Sequence, residues 1–209
     1  MVKVIPTILT GEKKEFEERF EKLKFADIIQ IDFMDGKFVK NKSLPIGEMP
    51  VFKRRVEAHL MVENPEEYVE DLIRRGFKKI IFHYESFKDK NSIREFAKKL
   101  TSQGLKPVLA INPKTEIKDV YELIGSFTTI LFLGVEPGKE EQEFQTGIIK
   151  KIKELKEYDP NIVIQVDGGV NQETAKHLKG LVDIVNSGSY ISKSENPLEA
   201  FNELREVLN

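Results

Sequence analysis

Short runs of apolar, mostly β-branched residues alternate along the chain with longer segments in which apolar residues recur at helical spacing. Repeated strand–helix units of this kind predict a parallel sheet. The predicted strands cover residues 2–9, 27–33, 56–61, 79–84, 107–111, 128–133, 162–166 and 182–186. Eight strands favour closure into a (β/α)8 barrel, the TIM barrel, and we expect residues 1–209 to form it as a single domain.

The segments between the predicted strands carry helical periodicity. Predicted helices cover residues 12–24, 65–75, 92–103, 143–158, 172–179 and 197–208. Gly76 and Gly104 follow two of them, at positions where a left-handed residue commonly ends a helix. Residues 40–55 are the exception, because Pro45, Gly47 and Pro50 disfavour a helix there. An open, doubly wound sheet is therefore the alternative fold.

Side-chain alternation identifies the polar residues that face the barrel interior. Successive side chains of a strand point to opposite faces, so one face of each strand lies inside. Placing the apolar faces of three strands against the helices leaves an inward polar set: Gln30, Asp32, Glu57, His59, Gln165 and Asp167. Asp32, His59 and Asp167 stand at or near the C-terminal ends of their strands, where barrel enzymes carry their reactive groups. Two carboxylates across a cavity can serve opposite faces of one substrate.

Each of these residues also has an ordinary structural interpretation. A carboxylate at a strand end is often a turn or helix-capping residue, and an inward histidine is often a hydrogen-bonded core residue. Three such residues on one rim, followed by the tight turn Asp35-Gly36, favour a functional site. We expect His83, on the fourth strand, to be structural or to contact substrate, and His177 to be solvated.

Composition narrows the partners and the chemistry. The 33 Lys and Arg residues nearly balance the 35 Asp and Glu residues, for a net charge of -2, so no uniform field favours nucleic acid or an anionic membrane. The absence of cysteine excludes disulfides, thiolate zinc sites and cysteine nucleophiles. Any metal must bind histidine, carboxylate or amide oxygen. Without an apolar run of about 20 residues or a signal-peptide pattern, we expect a cytoplasmic protein.

Motifs recur at the strand ends from the first strand to the last. They are Pro6-Thr7-Ile8-Leu9, Gln30-Ile31-Asp32-Phe33-Met34-Asp35-Gly36-Lys37-Phe38-Val39, Ala58-His59-Leu60-Met61-Val62-Glu63-Asn64-Pro65, Val135-Glu136-Pro137-Gly138, Val166-Asp167-Gly168-Gly169-Val170 and Ser187-Gly188-Ser189. In these residues the chain resembles the ribulose-phosphate 3-epimerase family. The resemblance covers nearly the whole chain and implies a barrel of the ribulose-phosphate-binding type.

The resemblance implies metal-assisted epimerisation at carbon three of a ketopentose phosphate, from ribulose 5-phosphate to xylulose 5-phosphate. A divalent metal (Zn, Fe or Mn) would stabilise the enediolate as a Lewis acid. By position, Asp32 and Asp167 would be the acid/base pair and, with His59, the metal ligands. The implied substrate and phosphate contacts are Thr7, Met34, Met61, Gly138, Gly168, Gly169, Gly188 and Ser189. Core packing of the methionines and simple tight turns at the glycines are the alternatives. A homo-oligomer is also implied.

Two departures from the family pattern affect different parts of this mechanism. Gln30 stands where the family has another histidine ligand, and an amide oxygen is a weaker donor for zinc, manganese or iron than imidazole. The phosphate loop carries Glu140 and Glu141 where the family pattern has a Gly-Gly pair. Added carboxylates repel phosphate, and Lys139 is expected to compensate in part.

Several functions remain open at this point. A phosphosugar epimerase of this family, with a small-molecule sugar phosphate as its partner, is the leading hypothesis. Gln30, Glu140 and Glu141 favour a noncatalytic or regulatory paralogue with impaired metal and phosphate sites, or an epimerase for another sugar phosphate. A third hypothesis is another barrel enzyme that acts on an anionic small molecule, such as a related decarboxylase or isomerase. The Asp-x-Lys-x-x-Asp pattern of the metal-dependent sugar-phosphate decarboxylases is absent around Asp32.

Overall fold

Eight parallel strands close into a barrel in chain order in the computed structural model, which describes residues 1–138 and 140–209. The strands are β1 (Lys3–Ile8), β2 (Ile28–Met34), β3 (Arg55–Met61), β4 (Lys79–His83), β5 (Lys106–Ile111), β6 (Thr129–Leu133), β7 (Val163–Asp167) and β8 (Ile184–Ser187). Each predicted strand is present, with ends shifted by at most two residues. The closed barrel confirms the predicted fold, and the open-sheet alternative is wrong.

The helices of the described residues surround this barrel. They are α1 (Lys13–Lys22), α2 (Val69–Arg74), α3 (Lys90–Ser102), α4 (Tyr121–Ile124), α5 (Ile148–Tyr158), α6 (Gln172–Leu178), α7 (Ser189–Ser192) and α8 (Pro197–Leu208). The predicted helix over residues 143–158 starts only at Ile148, and the four-residue helices α4 and α7 were too short to predict from periodicity. Within these residues, none of the helices combines the length and the apolar composition that a bilayer span needs.

The segment between β2 and β3 departs from the strand–helix alternation, as its prolines indicate. Among residues 40–55, only the single 3-10 turn Ile46–Glu48 is helical, and it lies between Pro45 and Pro50. The segment still covers the barrel, because its side chains Leu44, Ile46, Met49 and Phe52 are buried in the main apolar core. An irregular loop therefore takes the place of one helix.

The barrel interior is divided into an apolar part and a polar part. The apolar part is a separate cluster on β4, β5 and β6: Ile81, Val108, Ala110, Leu131 and Leu133. The polar part comes from the other strands and from the ends of β4. Gln165 on β7 reaches Glu57 on β3 with an Nε2–Oε1 distance of 2.9 Å. Because β3 and β7 are not neighbours, this bond crosses the interior, which confirms the inward orientation of both side chains.

Gly76 and Gly104 end α2 and α3 in the left-handed region, with φ of 89° and 75°. We expect Gly104→Ala to cost about 1–2 kcal/mol, because an added Cβ strains this backbone conformation but meets open space. Gly76→Ala should cost at least about 1 kcal/mol more, since its Cβ would lie 2.6 Å from the carbonyl oxygen of Phe52. Urea unfolding of the two variants measures the difference, and equal losses of stability would contradict the packing at Gly76.

Candidate active site

The C-terminal ends of the strands open into a cavity of about 410 Å³. Most of the residues that the sequence and the resemblance assigned to a site line it: Thr7, Asp32, His59, Met61, Gly138, Asp167, Gly168, Gly169, Gly188 and Ser189. Gln30 is fully buried beneath this lining. Met34 lies outside the lining, in a small buried cluster with Val39 and Met61. The structure therefore brings together nearly all of the candidate residues from β1, β2, β3, β7 and β8 and the loops that follow.

Two carboxylates and one imidazole form the floor of the cavity. His59 Nδ1 lies 3.2 Å from Asp32 Oδ1 and 3.3 Å from Asp167 Oδ2, and all three side chains are buried. The three residues offer one nitrogen and two oxygen ligand atoms, all within 4.8 Å of one another. Imidazole and carboxylate together suit zinc, manganese and iron. The donor set therefore fits a divalent transition metal.

The proximity of the three groups changes their protonation. Burial raises the pKa of Asp32 to about 6 and the charge of Asp167 adds to this, although the hydrogen bond and positive charge of His59 act in the opposite direction. Burial favours the neutral form of His59, but its hydrogen bonds to Asp167 and Asp32 and their negative charges raise its pKa to about 10. Without metal, His59 is thus an imidazolium held by both carboxylates, and Asp32 titrates close to neutral pH.

A second histidine fixes the orientation of the first. His59 Nε2 lies 2.9 Å from His83 Nε2, and the two rings are stacked. Burial and the charge of His59 lower the pKa of His83, which is therefore neutral and accepts the Nε2 proton of His59. The proton of His83 then lies on Nδ1, 3.4 Å from Glu85 Oε2, an electrostatic contact longer than a normal hydrogen bond. His83 is thus a structural support of His59, one of the two roles predicted for it.

Gln30 lies directly below the two aspartates. Its Nε2 donates to Asp167 Oδ2 at 2.5 Å and to Asp32 Oδ1 at 2.9 Å, while its Oε1 accepts from Asn186 Nδ2 at 2.7 Å. The amide nitrogen therefore faces the carboxylates and the amide oxygen faces away from the cavity.

Glu140, Glu141 and Lys193 line the other end of the cavity, and Arg19 contacts Glu140 there. The carboxylate of Glu140 lies 2.8 Å from Lys193 Nζ and 3.5 Å from Arg19 Nη1. Glu141, with a positive φ of 61°, pairs with Lys193 at 2.7 Å. Glu140 Oε1 is also 3.4 Å from the point where a Cβ on Gly188 would lie. A carboxylate thus lies beside a glycine for which the resemblance implies phosphate contact. Lys139, expected to help hold phosphate, lies outside the described residues.

Arg19 and Lys193 were not predicted as site residues. A signal for Arg19 exists, because it shares the buried face of α1 with Phe16 and is itself only 7% exposed. An arginine on the apolar face of a helix indicates a buried partner. Lys193 follows the short helix α7, and nothing in its local sequence distinguishes it from the other surface lysines. Asn186 could have been found by side-chain alternation along β8.

Comparison with known proteins agrees with the resemblance carried by the motifs. Residues 3–192 match the model of the ribulose-phosphate 3 epimerase family. A protein named ribulose-phosphate 3-epimerase from Methanocaldococcus jannaschii is 34% identical, over 99% of this chain and 91% of its own length. One of the same name from Helicobacter pylori is 32% identical, over 99% of this chain and 98% of its own length.

Solved structures support the fold. The crystal structure of KGPDC from Streptococcus mutans superposes with a TM-score of 0.72, covering 99% of this chain and 97% of that chain. Its sequence identity to this chain is 11%, so the likeness concerns the barrel alone.

The protonation of His59 predicts how metal binding depends on pH. A metal needs the Nδ1 lone pair, so between the pKa of Asp32, about 6, and that of His59, about 10, binding should release one proton. Affinity for Mn²⁺ should rise about tenfold per pH unit over this range. Calorimetric titration at pH 7.0 to 8.5, in buffers of different ionisation enthalpy, measures both quantities. His59→Gln should bind Mn²⁺ more weakly, because one of the three ligands is lost. A pH-independent affinity in the unaltered protein would contradict the assignment.

Proposed function

Because the chain belongs to the ribulose-phosphate 3-epimerase family, we propose that it interconverts ribulose 5-phosphate and xylulose 5-phosphate by moving the proton on carbon three. The observation that carries this proposal is the pair of buried carboxylates, Asp32 and Asp167, which both approach His59 Nδ1 at the floor of the cavity. An epimerase must remove a proton from one face of a carbon and supply one to the other face. Two carboxylates on different strands meet this requirement.

Asp32 and Asp167 would exchange the roles of acid and base with the direction of the reaction. A group that donates and accepts protons works best when its pKa lies near the working pH, and the pKa of Asp32 is raised to about 6. Gln30 and His59 keep both carboxylates in place while the protonation of each changes. The reacting carbon would lie between them, one carboxylate on each face, beside the apolar side chain of Met61.

Asp32, His59 and Asp167 would also hold a divalent metal, Zn, Fe or Mn. When bound, such a metal stabilises the negative charge that develops on the substrate oxygens during proton removal. His83 contributes by keeping the Nε2 proton of His59 in a hydrogen bond, which leaves Nδ1 directed at the carboxylates. The ligand atoms are therefore held in position before any metal arrives.

The phosphate of the substrate would lie at the other end of the cavity. Gly168 and Gly169, after β7, and Gly188 and Ser189, after β8, surround this end. Loops after the seventh and eighth strands commonly bind phosphate in such barrels. Lys193 also lines the cavity there, and Thr7 lines it at the end of β1, near the carboxylates.

Deuterium exchange with single-carboxylate variants tests the acid/base pair. Asp32→Asn and Asp167→Asn should each lower epimerisation by about 10²–10⁴-fold. Each variant keeps one carboxylate, which can still remove and return a proton on its own face of the substrate. One variant should therefore exchange the carbon-three proton of ribulose 5-phosphate, and the other variant that of xylulose 5-phosphate. NMR in D₂O with each substrate, at saturating Mn²⁺ or Zn²⁺, measures this. Absence of exchange by the folded, unaltered protein with every metal tested would overturn the proposal for these substrates.

Glu140 supports a second candidate, an epimerase for another sugar phosphate or a paralogue with a weakened phosphate site. Its carboxylate pairs with Lys193 and Arg19 and lies beside Gly188, one of the glycines assigned to phosphate. A substrate phosphate would have to displace it or share these cations with it. Weak binding of ribulose 5-phosphate would then be a property of this chain.

Glu140→Gln distinguishes these candidates. If a phosphate competes with this carboxylate, the variant should lower the KM for ribulose 5-phosphate about three- to tenfold with little change in kcat. Steady-state kinetics measures both constants. Glu122→Gln, which removes an exposed partner of Lys90 elsewhere on the surface, is the matched control and should leave both constants unchanged. An unchanged KM in Glu140→Gln would indicate that phosphate does not use these cations.

The homo-oligomer implied by the resemblance and the expected cytoplasmic location stay predictions. Light scattering of the purified protein measures the first, and fractionation of cells that produce the chain measures the second.

A further inference from the structure

The carboxylates of the site rest on three buried side-chain amides, those of Gln30, Gln165 and Asn186, each with no exposed surface. Both hydrogens of Gln30 Nε2 are used by Asp32 and Asp167. Asn186 Nδ2 donates to Gln30 Oε1 at 2.7 Å and to Glu57 Oε1 at 3.1 Å. Gln165 Nε2 donates to Asn186 Oδ1 at 2.7 Å and to Glu57 Oε1 at 2.9 Å. All six amide hydrogens thus have an acceptor.

The series of hydrogen-bonded amides begins at the ammonium of Lys79, which can only donate. Lys79 Nζ lies 2.6 Å from Gln165 Oε1 and 3.0 Å from Glu57 Oε2, at the start of β4 and therefore at the opposite end of the barrel from the cavity. An ammonium has no acceptor, so the amide oxygen of Gln165 must face it. Gln165 then presents its nitrogen to Asn186, and Asn186 presents its nitrogen to Gln30.

Reversal of any one amide is unfavourable because of its neighbours. A reversed Gln165 would direct N–H groups at the ammonium of Lys79 and its oxygen at the carboxylate of Glu57. A reversed Gln30 would direct N–H groups at those of Asn186 and its oxygen at Asp32 and Asp167. Unpaired polar groups are most costly in a buried site of low dielectric constant.

We propose that Gln30 is a positioning residue that holds Asp32 and Asp167 through its N–H groups and is not a metal ligand, and that Lys79 sets its orientation through Gln165 and Asn186. The metal centre of the proposed function then has three protein ligands, Asp32, His59 and Asp167. This inference rests on the metal-binding part of that function, and it is tested without substrate.

The test is NMR of protein labelled with ¹⁵N and ¹³C in glutamine and with ¹⁵N in histidine. The side-chain amide of Gln30 is assigned by its absence from the spectrum of Gln30→Leu. In the metal-free protein its hydrogens should be protected from exchange with D₂O. On titration with Zn²⁺, followed by the ring nitrogens of His59, both amide hydrogens should stay protected, because they still donate to the carboxylates that bind the metal. Loss of this protection on metal binding, together with a ¹³Cδ shift, would show that the amide oxygen coordinates the metal and would overturn the proposal.

Two variants test the role of Lys79. Glu57→Gln breaks the buried ion pair but keeps the ammonium, so the protection of the Gln30 amide should stay within about threefold of the original. Lys79→Met combined with Glu57→Gln leaves the N-terminal end of the interior neutral and without a fixed donor, and the protection should fall at least tenfold. Equal protection in the two variants, both folded by circular dichroism, would refute control by Lys79. Either result is independent of whether the protein epimerises ribulose 5-phosphate.

Discussion

Charge buried inside the barrel is the constraint on which the rest of the site depends. An ionised side chain away from water is tolerated only when it is paired and hydrogen-bonded. In the barrel interior the paired charges form two layers, one near each end of the strands. Glu57 and Lys79 form an ion pair near the N-terminal ends of the strands, and Asp32 and Asp167 surround His59 at the other end. The amides of Gln165, Asn186 and Gln30 separate the two charged layers. Gln165 accepts a hydrogen bond from Lys79 in the first layer, and Gln30 donates to both aspartates in the second.

The division of the interior gives the site its chemical asymmetry. Ile81, Val108, Ala110, Leu131 and Leu133 fill the side formed by β4, β5 and β6 and offer no polar atom beyond the backbone. The polar side chains lie on β1, β2, β3, β7 and β8 and at the two ends of β4, Lys79 and His83. An apolar wall beside a charged cluster lowers the local dielectric constant, which strengthens each remaining electrostatic contact. The raised pKa of Asp32 is one result of this environment.

Much of the fold and of the floor of the site could be predicted from the sequence, because both follow from local periodicity. Alternation along β2, β3 and β7 identified Asp32, His59 and Asp167, and the prolines of residues 40–55 indicated a missing helix. The pairings could not be predicted. Arg19 and Glu140 are 121 positions apart, and only the closed barrel brings them together. The orientation of the Gln30 amide depends on Lys79, with which it shares no local pattern.

The position of Glu140 has a consequence for selectivity among anions. A carboxylate tethered beside Lys193 and Arg19 acts as a competitor whose effective concentration, on the order of millimolar, does not depend on dilution. Free inorganic phosphate or sulfate would bind at this end of the cavity only and would have to overcome this internal competitor with few contacts. A sugar phosphate, the proposed substrate, would also bind through its sugar oxygens at the floor of the cavity. The acidic loop would thus favour ligands that span the whole cavity over the small anions abundant in a cell.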